Sequence, residues 1–209
     1  MSQPDVIRVL IADDHPMMRE GLAAVIEYKP DMTVVGQARN GQEAIDLFRQ
    51  YQPDITLMDL RMPEVGGVEA IMTICAEFVN PRIIVLTTYD GDEDIYRGLR
   101  AGARGYLLKD AEPDELLAAI RTVYDGRQFI PLAVGAKLVE RMGNPELSDR
   151  ELEVLQLMAK GNSNQEISTA LSIAEGTVKF HVKNILSKLK VNDRTQAVIT
   201  ALKRGIVSS

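Results

Sequence analysis

The sequence is poor in cysteine and histidine, and it has no long apolar run. Its one cysteine, Cys75, has no partner for an internal disulfide or a cysteine metal site, and two histidines are too few to suggest a zinc site. The longest apolar runs, such as residues 22–26, span about five residues, far below the roughly 20 that a membrane helix needs. The first residues lack the basic start and apolar core of a secretion signal. We therefore expect a globular protein of the cytoplasm that does not enter a membrane.

Charge is divided unevenly along the chain, whose net charge is −6. Residues 1–125 carry 22 acidic and 12 basic side chains, a net charge of −10, whereas residues 126–209 carry 8 and 12, a net charge of +4. From residue 176 onward, seven basic side chains accompany a single acid, Asp193. An acidic half joined to a basic tail predicts two domains with different partners.

Short apolar runs alternate with helical patterns over the first 125 residues. The runs are rich in Val, Ile and Leu, as buried parallel strands are. They occupy Ile7–Ala12, 33–38, Ile55–Met58, 83–86 and Gly105–Leu108. Helices are predicted between them at 16–27, 41–51, 67–78, 92–101 and 113–124. This order predicts the α/β class, with a five-stranded, doubly wound parallel sheet that has helices on both faces.

The last part of the chain follows a purely helical pattern. Residues 126–146 are interpreted as a linker that has room for a short helix, and residues 147–209 as a second, all-α domain. Two of its helices begin with capping boxes, Ser148 with Glu151 and Ser163 with Glu166. Two further helices are predicted at Glu175–Leu189 and Arg194–Arg204. The short break before the basic third helix predicts a helix-turn-helix.

Polar side chains follow four of the five predicted strands. Asp13 and Asp14 follow the first strand, Asp59 the third, Thr87 ends the fourth, and Lys109 follows the fifth. A single strand-end aspartate is more often a turn former or a helix cap, but the coincidence at four strand ends favours a site beyond the carboxyl edge of the sheet. Crowded carboxylates suit a hard cation such as Mg²⁺, and a carboxylate beside Mg²⁺ can attack phosphorus. Lys109 would stabilise charge on a transferring phosphoryl group, and Thr87 could donate a hydrogen bond to it.

The third helix of the second domain has two different faces. Val178, Ile185 and Leu189 share its apolar stripe, whereas Phe180 lies nearly opposite, near Lys183. Lysine can reach base edges or phosphates, and a phenylalanine can contact a thymine methyl group. The alternative from charge alone is a solvated basic face. His181 lies at the boundary between the faces and is interpreted as a packing residue.

Residues 5–125 resemble the receiver domain of two-component response regulators of the NarL/FixJ type. The resemblance rests on Asp13-Asp14, Met58-Asp59, Met62-Pro63, Thr87, Tyr106 and Lys109. It implies a flavodoxin-like receiver in which Asp59 accepts a phosphoryl group from a sensor histidine kinase. It also implies that Asp14, Asp59 and the backbone carbonyl of Arg61 bind Mg²⁺, with Asp13 acting through water. Thr87 and Tyr106 are then the switch pair, and Lys109 contacts the phosphoryl group.

One position departs from the receiver pattern. The family usually has Asp-Gly where this chain has Gly66-Gly67. Because the missing aspartate would cap the next helix, we expect that helix to start more loosely, without loss of phosphorylation.

Residues 147–209 resemble the LuxR-type DNA-binding domain. The resemblance rests on 147–151, 161–168, 177–182, Ile185-Leu186, Lys188-Leu189 and 193–197. It implies major-groove contacts from Lys179, Phe180 and Lys183, and phosphate contacts from Thr177, Asn184, Lys188 and Arg194. It also implies dimerisation on the last helix, where Ala197, Val198, Ala201 and Leu202 form a small apolar stripe.

The sequence therefore predicts a phosphorylation-switched transcription regulator rather than an enzyme, with slow autodephosphorylation as its only turnover. Its expected partners are a sensor histidine kinase, double-stranded DNA, RNA polymerase and, when phosphorylated, a second copy of itself. We further expect the unphosphorylated first domain to mask the basic helix. One alternative is a phosphatase with a carboxylate nucleophile, but Arg61 stands where its general acid would be. The other is a phosphate-independent regulator, which would normally have lost a pocket residue.

Overall fold

The structure is a computed structural model that describes residues 6–88, 92–142 and 147–207. Within these ranges the chain forms five strands and ten helices, in two compact units divided near residue 135. None of the helices in the described ranges is both long enough and apolar enough to cross a membrane.

The first unit contains all five strands, each followed along the chain by a helix. The strands are β1 (Ile7–Ala12), β2 (Met32–Ala38), β3 (Ile55–Met58), β4 (Ile83–Thr87) and β5 (Gly105–Leu108). The helices are α1 (Pro16–Glu27), α2 (Gly41–Tyr51), α3 (Gly67–Glu77), α4 (Asp92–Arg100) and α5 (Pro113–Tyr124). Their bounds agree with the sequence predictions to within one residue at each end.

All strand pairs are parallel, in the order β2-β1-β3-β4-β5. Alternate residues of β1, namely Ile7, Val9 and Ile11, face a core cluster that α1 and α5 complete. The intervening residue Leu10 approaches α2 on the opposite face, where Gly36 leaves room for it. Helices therefore cover both faces of the sheet, which confirms the predicted α/β fold.

The segment after α5 adds to the first unit. Phe129 pairs with β5, since the Tyr106 N–H donates to the Phe129 carbonyl at 2.9 Å, and the Phe129 ring packs against the core. A helix, α6 (Leu132–Met142), follows within the segment that the sequence analysis assigns to a linker.

The second unit is a helical domain with its own core. Its helices are α7 (Asp149–Ala159), α8 (Asn164–Ala170), α9 (Glu175–Leu189) and α10 (Arg194–Arg204). Both predicted capping boxes are present, at Ser148 and Ser163. Val154, Ile167, Val178 and Ile185 are fully buried in a cluster to which all four helices contribute. This core fixes α9 against α7 and α8, so that its opposite face is left outward.

Candidate functional site

Two carboxylates and an ammonium group share one buried volume at the carboxyl edge of the sheet. Lys109 Nζ lies 2.6 Å from Asp13 Oδ2 and 2.7 Å from Asp59 Oδ2, and all three side chains are buried. Asp13 and Asp59 follow β1 and β3, which are neighbours in the sheet, and the Asp59 N–H donates to the Ala12 carbonyl at 2.8 Å. The parallel register therefore brings together residues that are far apart in sequence.

The charges of this group perturb one another. Burial raises the pKa of Asp59 above its ordinary value, against the opposing effect of the hydrogen bond from Lys109. Burial alone would lower the pKa of Lys109, but its hydrogen bonds to Asp13 and Asp59 raise it. Lys109 therefore stays protonated and positively charged. The Asp59 carboxylate beside it is less stable as an anion than it would be in water.

Asp14 and His15 complete the acidic cluster. Each of Asp13, Asp14, His15 and Asp59 offers one ligand atom within 4.8 Å of the others. The buried Oδ1 atom of Asp14 accepts no hydrogen bond in the described part of the chain, although His15 Nδ1 lies 2.7 Å from it. A buried carboxylate oxygen without a donor fits a cation site.

Two other predicted pocket residues, Arg61 and Thr87, lie at the same edge of the sheet. The Arg61 N–H donates to Asp59 Oδ1 at 3.2 Å, so Arg61 follows the carboxylate closely. Thr87 is buried, and the Lys109 N–H donates to the Thr87 carbonyl at 2.9 Å. Tyr106 is the second residue of β5 and is fully buried.

Gly67 supports Asp59 from the start of α3. A Cβ atom on Gly67 would lie 2.0 Å from the Asp59 carbonyl oxygen, whereas one on Gly66 would meet nothing closer than the Leu60 carbonyl oxygen at 3.6 Å. Gly66 provides no side-chain cap, in line with its departure from the receiver pattern, and the Gly67 N–H donates to the Leu60 carbonyl at 3.0 Å. Only glycine at position 67 allows α3 to approach this closely.

The outer face of α9 carries most of the predicted DNA contacts. Thr177, Lys179, Phe180 and Lys183 lie on this face with Asn184; Phe180 exposes 60% of its surface, and Asn184 is half-buried. Lys179 pairs with Glu175 one turn earlier, at 2.9 Å and in solvent. This face therefore combines an exposed aromatic ring with the positive charge of two lysines.

Two residues predicted to contact phosphates also pair with other residues of the second unit. Lys188 Nζ lies 2.7 Å from Glu151 Oε2, and Glu151 is buried and belongs to the capping box of α7. Arg194 donates to the Asn162 carbonyl and to Asn164 Oδ1. These side chains tie α9 and α10 to their neighbours, which assigns them a positioning role in this structure.

The expected dimerisation stripe needs a correction. Ala197 and Ala201 are fully buried in the core of the second unit, so they do not form an outer surface. Val198 packs against that core, and Leu202 is 39% exposed. Ile199, which the sequence analysis did not select, is 48% exposed. The apolar surface of α10 therefore consists of Ile199 and Leu202, because tertiary packing covers the side that holds the alanines.

Three residues of these sites were missed by the sequence analysis. His15 follows the aspartate pair directly, and a nitrogen ligand next to two carboxylates was a usable signal. Glu151 was recognised only as a cap, because a capping box does not reveal a lysine 37 positions later that pairs with it. The closeness of Gly67 to Asp59 depends on how α3 approaches β3, which no local pattern encodes.

Family comparisons agree with the two-unit architecture. Residues 9–121 match the response regulator receiver domain, and residues 145–201 match the bacterial regulatory proteins of the luxR family. The chain therefore belongs to the response regulators that join a receiver domain to a LuxR-type DNA-binding domain.

Its relatives match over nearly the whole chain. It is 43% identical over 211 residues to the transcriptional regulatory protein LiaR of Bacillus subtilis, covering 97% of this chain and 100% of LiaR. It is 40% identical over 206 residues to the response regulator VraR of Staphylococcus saprophyticus, covering 96% and 99%. A solved structure of RcsB from Salmonella enterica serovar Typhimurium, bound to a promoter in the presence of phosphomimetic BeF₃⁻, is 28% identical with a TM-score of 0.73, covering 94% and 98%.

Proposed function

We propose that this response regulator is phosphorylated on Asp59 by a sensor histidine kinase and then binds double-stranded DNA as a dimer. The observation on which the proposal rests most is the buried group of Asp13, Asp59 and Lys109 at the carboxyl edge of the sheet. A structural salt bridge would need one carboxylate, whereas this group holds two beside one ammonium. The family membership supports the same assignment.

The phosphoryl transfer uses Asp59 as the nucleophile. A carboxylate oxygen of Asp59 attacks the phosphorus of the kinase phosphohistidine, the P–N bond breaks as the O–P bond forms, and the leaving imidazole takes up a proton. Burial of Asp59 destabilises its anionic form, as its raised pKa reflects, so the attacking oxygen is poorly solvated before the reaction. The Lys109 ammonium, 2.7 Å from Asp59 Oδ2, is placed to stabilise charge on the phosphoryl oxygens. Slow hydrolysis of the acyl phosphate would return the protein to its resting state.

Mg²⁺ is the cation that the donor set suits. We expect Asp13, Asp14, Asp59 and the backbone carbonyl of Arg61 to hold it, since all are hard oxygen donors. The buried Asp14 oxygen that accepts no hydrogen bond from the described residues supports this assignment. When bound, the ion supplies the positive charge that lets an anionic phosphoryl group approach three aspartates.

The switch pair is Thr87 and Tyr106. Thr87 would donate its hydroxyl to the phosphoryl group, and Tyr106 lies on the neighbouring strand. Because Tyr106 is already buried, we expect phosphorylation to stabilise this buried position rather than to create it.

The outer face of α9 is the surface that we propose enters the major groove. Lys179, Phe180 and Lys183 would reach bases, and Thr177 and Asn184 would contact phosphates. The similar RcsB structure is bound to a promoter, which supports DNA as the target of this surface. Lys188 and Arg194 act through the position of α9 and α10.

The wider assignments follow from DNA as the target. We propose a receiver at residues 1–125, a linker at 126–146 and a DNA-binding domain at 147–209, with Ile199 and Leu202 of α10 meeting the same residues of a second copy. We expect RNA polymerase as the further partner of the DNA-bound dimer, and the cytoplasm as its location because that is where genomic DNA lies.

The test combines phosphorylation with DNA binding. Wild type and Asp59→Asn are incubated with Mg²⁺ and acetyl phosphate, and the adduct is followed by intact-protein mass spectrometry. Gel shifts on genomic fragments then compare the two proteins. We expect a single phosphoryl adduct and a gain in DNA affinity for wild type only. An equal adduct or an equal gain in the variant would refute the role of Asp59.

A further inference from the structure

His15 brings an imidazole nitrogen into the acidic pocket. Its Nδ1 lies 2.7 Å from Asp14 Oδ1 and 3.2 Å from Asp13 Oδ1, and its ring is 68% exposed. Together with Asp59, these residues place one nitrogen and three carboxylate oxygens within 4.8 Å of one another. The pocket therefore contains a mixed donor set rather than oxygen alone.

The backbone holds the ring in place, and the helix does not need it. The His15 N–H donates to Asp13 Oδ1 at 2.9 Å, which fixes the residue beside the carboxylates. His15 is also the N-cap residue of α1, but its side chain makes no capping hydrogen bond. Its imidazole is therefore positioned by the pocket without serving the start of α1.

The spacing of the donor atoms fits one shared cation. Two ligands that lie about 2.1 Å from one ion at right angles are about 3 Å from each other. The distances from His15 Nδ1 to the two carboxylate oxygens lie on either side of that value. In addition, the Asp14 oxygen that His15 approaches is buried and accepts no hydrogen bond within the described residues.

The chemistry of the donor atoms determines which ions bind more tightly because of His15. Mg²⁺ prefers oxygen donors and gains little from an imidazole, whereas Co²⁺, Ni²⁺ and Zn²⁺ bind imidazole well. A carboxylate pocket with one imidazole should therefore discriminate between these two classes of ion.

We propose that His15 makes the pocket a mixed imidazole–carboxylate site that binds a first-row transition-metal dication through Nδ1, in competition with Mg²⁺. This inference rests on the proposed cation site of Asp13, Asp14 and Asp59, and extends its ligand set by one residue. The chain has too few histidines and cysteines for a zinc site made of those residues alone. In the proposed site His15 supplies one ligand, and aspartates supply the others.

The test measures Co²⁺ and Mg²⁺ binding to the full-length chain by equilibrium dialysis, with Co²⁺ visible absorption as the spectroscopic readout. His15→Gln removes the imidazole, and His15→Asn does so while offering a side-chain cap to α1. Because the chain has only two histidines, His181→Gln is the matched control. We expect both His15 variants to lower Co²⁺ affinity by about tenfold or more and to change Mg²⁺ affinity less than about twofold.

The outcomes separate this inference from the proposed function. Equal Co²⁺ affinity in wild type and the His15 variants, or an equal loss of Mg²⁺ and Co²⁺ affinity in the variants, would overturn the role of His15 as a transition-metal ligand. Mg²⁺ binding by the wild-type chain would still support the proposed cation site in either case. A loss of Co²⁺ affinity in His181→Gln as large as in the His15 variants would also overturn it. A wild-type chain that binds neither ion would overturn the proposed cation site itself.

Discussion

At the scale of single residues, Lys109 makes the crowding of two buried carboxylates tolerable. Its ammonium lies within hydrogen-bonding distance of both Asp13 and Asp59, which compensates the loss of solvation that all three groups undergo. Compensation is partial, because burial still holds the pKa of Asp59 above its ordinary value. The neighbours of Asp59, the proposed nucleophile, thus maintain an electrostatically unfavourable carboxylate, as functional sites often require.

The close approach of Gly67 to Asp59 gives a prediction about a residue with no side chain. Gly67→Ala would force its Cβ against the Asp59 carbonyl, so we expect a loss of about 1–3 kcal/mol of unfolding free energy and a lower yield of phosphoryl adduct. Gly66→Ala is the matched control, since its Cβ has room; as the N-cap position disfavours alanine slightly, we expect it to cost less than about 1 kcal/mol and to leave the phosphoryl adduct unchanged. Urea unfolding followed by circular dichroism measures the stability of both variants, and intact-protein mass spectrometry measures their phosphoryl adduct. Equal behaviour of the two variants would contradict the contact.

Glu151 gives a prediction about pH. Burial acts to raise the pKa of Glu151, but hydrogen bonds from Lys188 and Ser148 outweigh it and hold the pKa below its ordinary value. A lowered carboxyl pKa means that the stabilisation is present above pH 4.5, the ordinary value, and is lost as pH falls through the lowered pKa. Glu151→Gln should therefore cost about 1–2 kcal/mol at pH 7 and progressively less in acid.

The control for Glu151 is Glu153→Gln on the same helix. Glu153 pairs with Arg150 in a largely exposed position, so its loss should cost less than about 0.5 kcal/mol at any pH. Urea unfolding of the two variants at pH 7 and below pH 4.5 is the measurement. A cost for Glu151→Gln that did not shrink in acid would show that packing, not charge, is lost.

At the scale of elements, α9 combines a buried face with the outer face that we propose contacts DNA. Val178, Ile185 and Leu189 anchor it in the core, and Lys188 adds an ion pair to α7 on the flank. Phe180 and Lys183 project from the other side. The orientation of the outer face therefore depends on contacts within the second unit.

This division predicts different salt dependences for two lysines of α9. Lys183→Ala removes one positive charge from the proposed groove face, so it should reduce the slope of log affinity against log salt, by at most the value of about 0.9 that one phosphate contact contributes. Lys188→Ala should weaken DNA binding mainly by loosening α9, with little change in slope. Fluorescence anisotropy over a salt series measures both slopes. An equal reduction for Lys188 would restore it as a direct phosphate contact.

Sequence patterns predicted the elements and the pocket because both follow from local rules. Parallel strands bring their carboxyl ends to one edge, so the strand pattern by itself places Asp13, Asp59 and Lys109 together. The patterns failed where a neighbour decides the outcome. Periodicity placed Ala197 and Ala201 on an apolar stripe of α10, but it could not show that the core of the second unit covers them. It also could not reveal the ion pair between Lys188 and Glu151.

At the scale of the whole molecule, the chain has two units with separate cores, and its charge is divided unevenly between its first and last parts. The net charge is −10 over residues 1–125 and +4 over residues 126–209. Each unit buries its own hydrophobic cluster, so each has the means to fold without the other. A regulator of this kind can therefore couple its units through a weak, adjustable interaction rather than through a shared core.

The charge division leads to the prediction that the unphosphorylated receiver masks α9. Attraction between an acidic and a basic domain would favour the masked state. A coupling free energy of about 1–3 kcal/mol is typical of allosteric proteins. A fragment of residues 147–209 should then bind the target DNA without phosphate, about tenfold more tightly than the unphosphorylated full-length chain. The difference in DNA affinity between the fragment and the full-length chain should become smaller at high salt, because screening weakens attraction between the domains. Gel shifts with both proteins at two salt concentrations measure it, and a fragment that binds no better than the unphosphorylated chain would rule masking out.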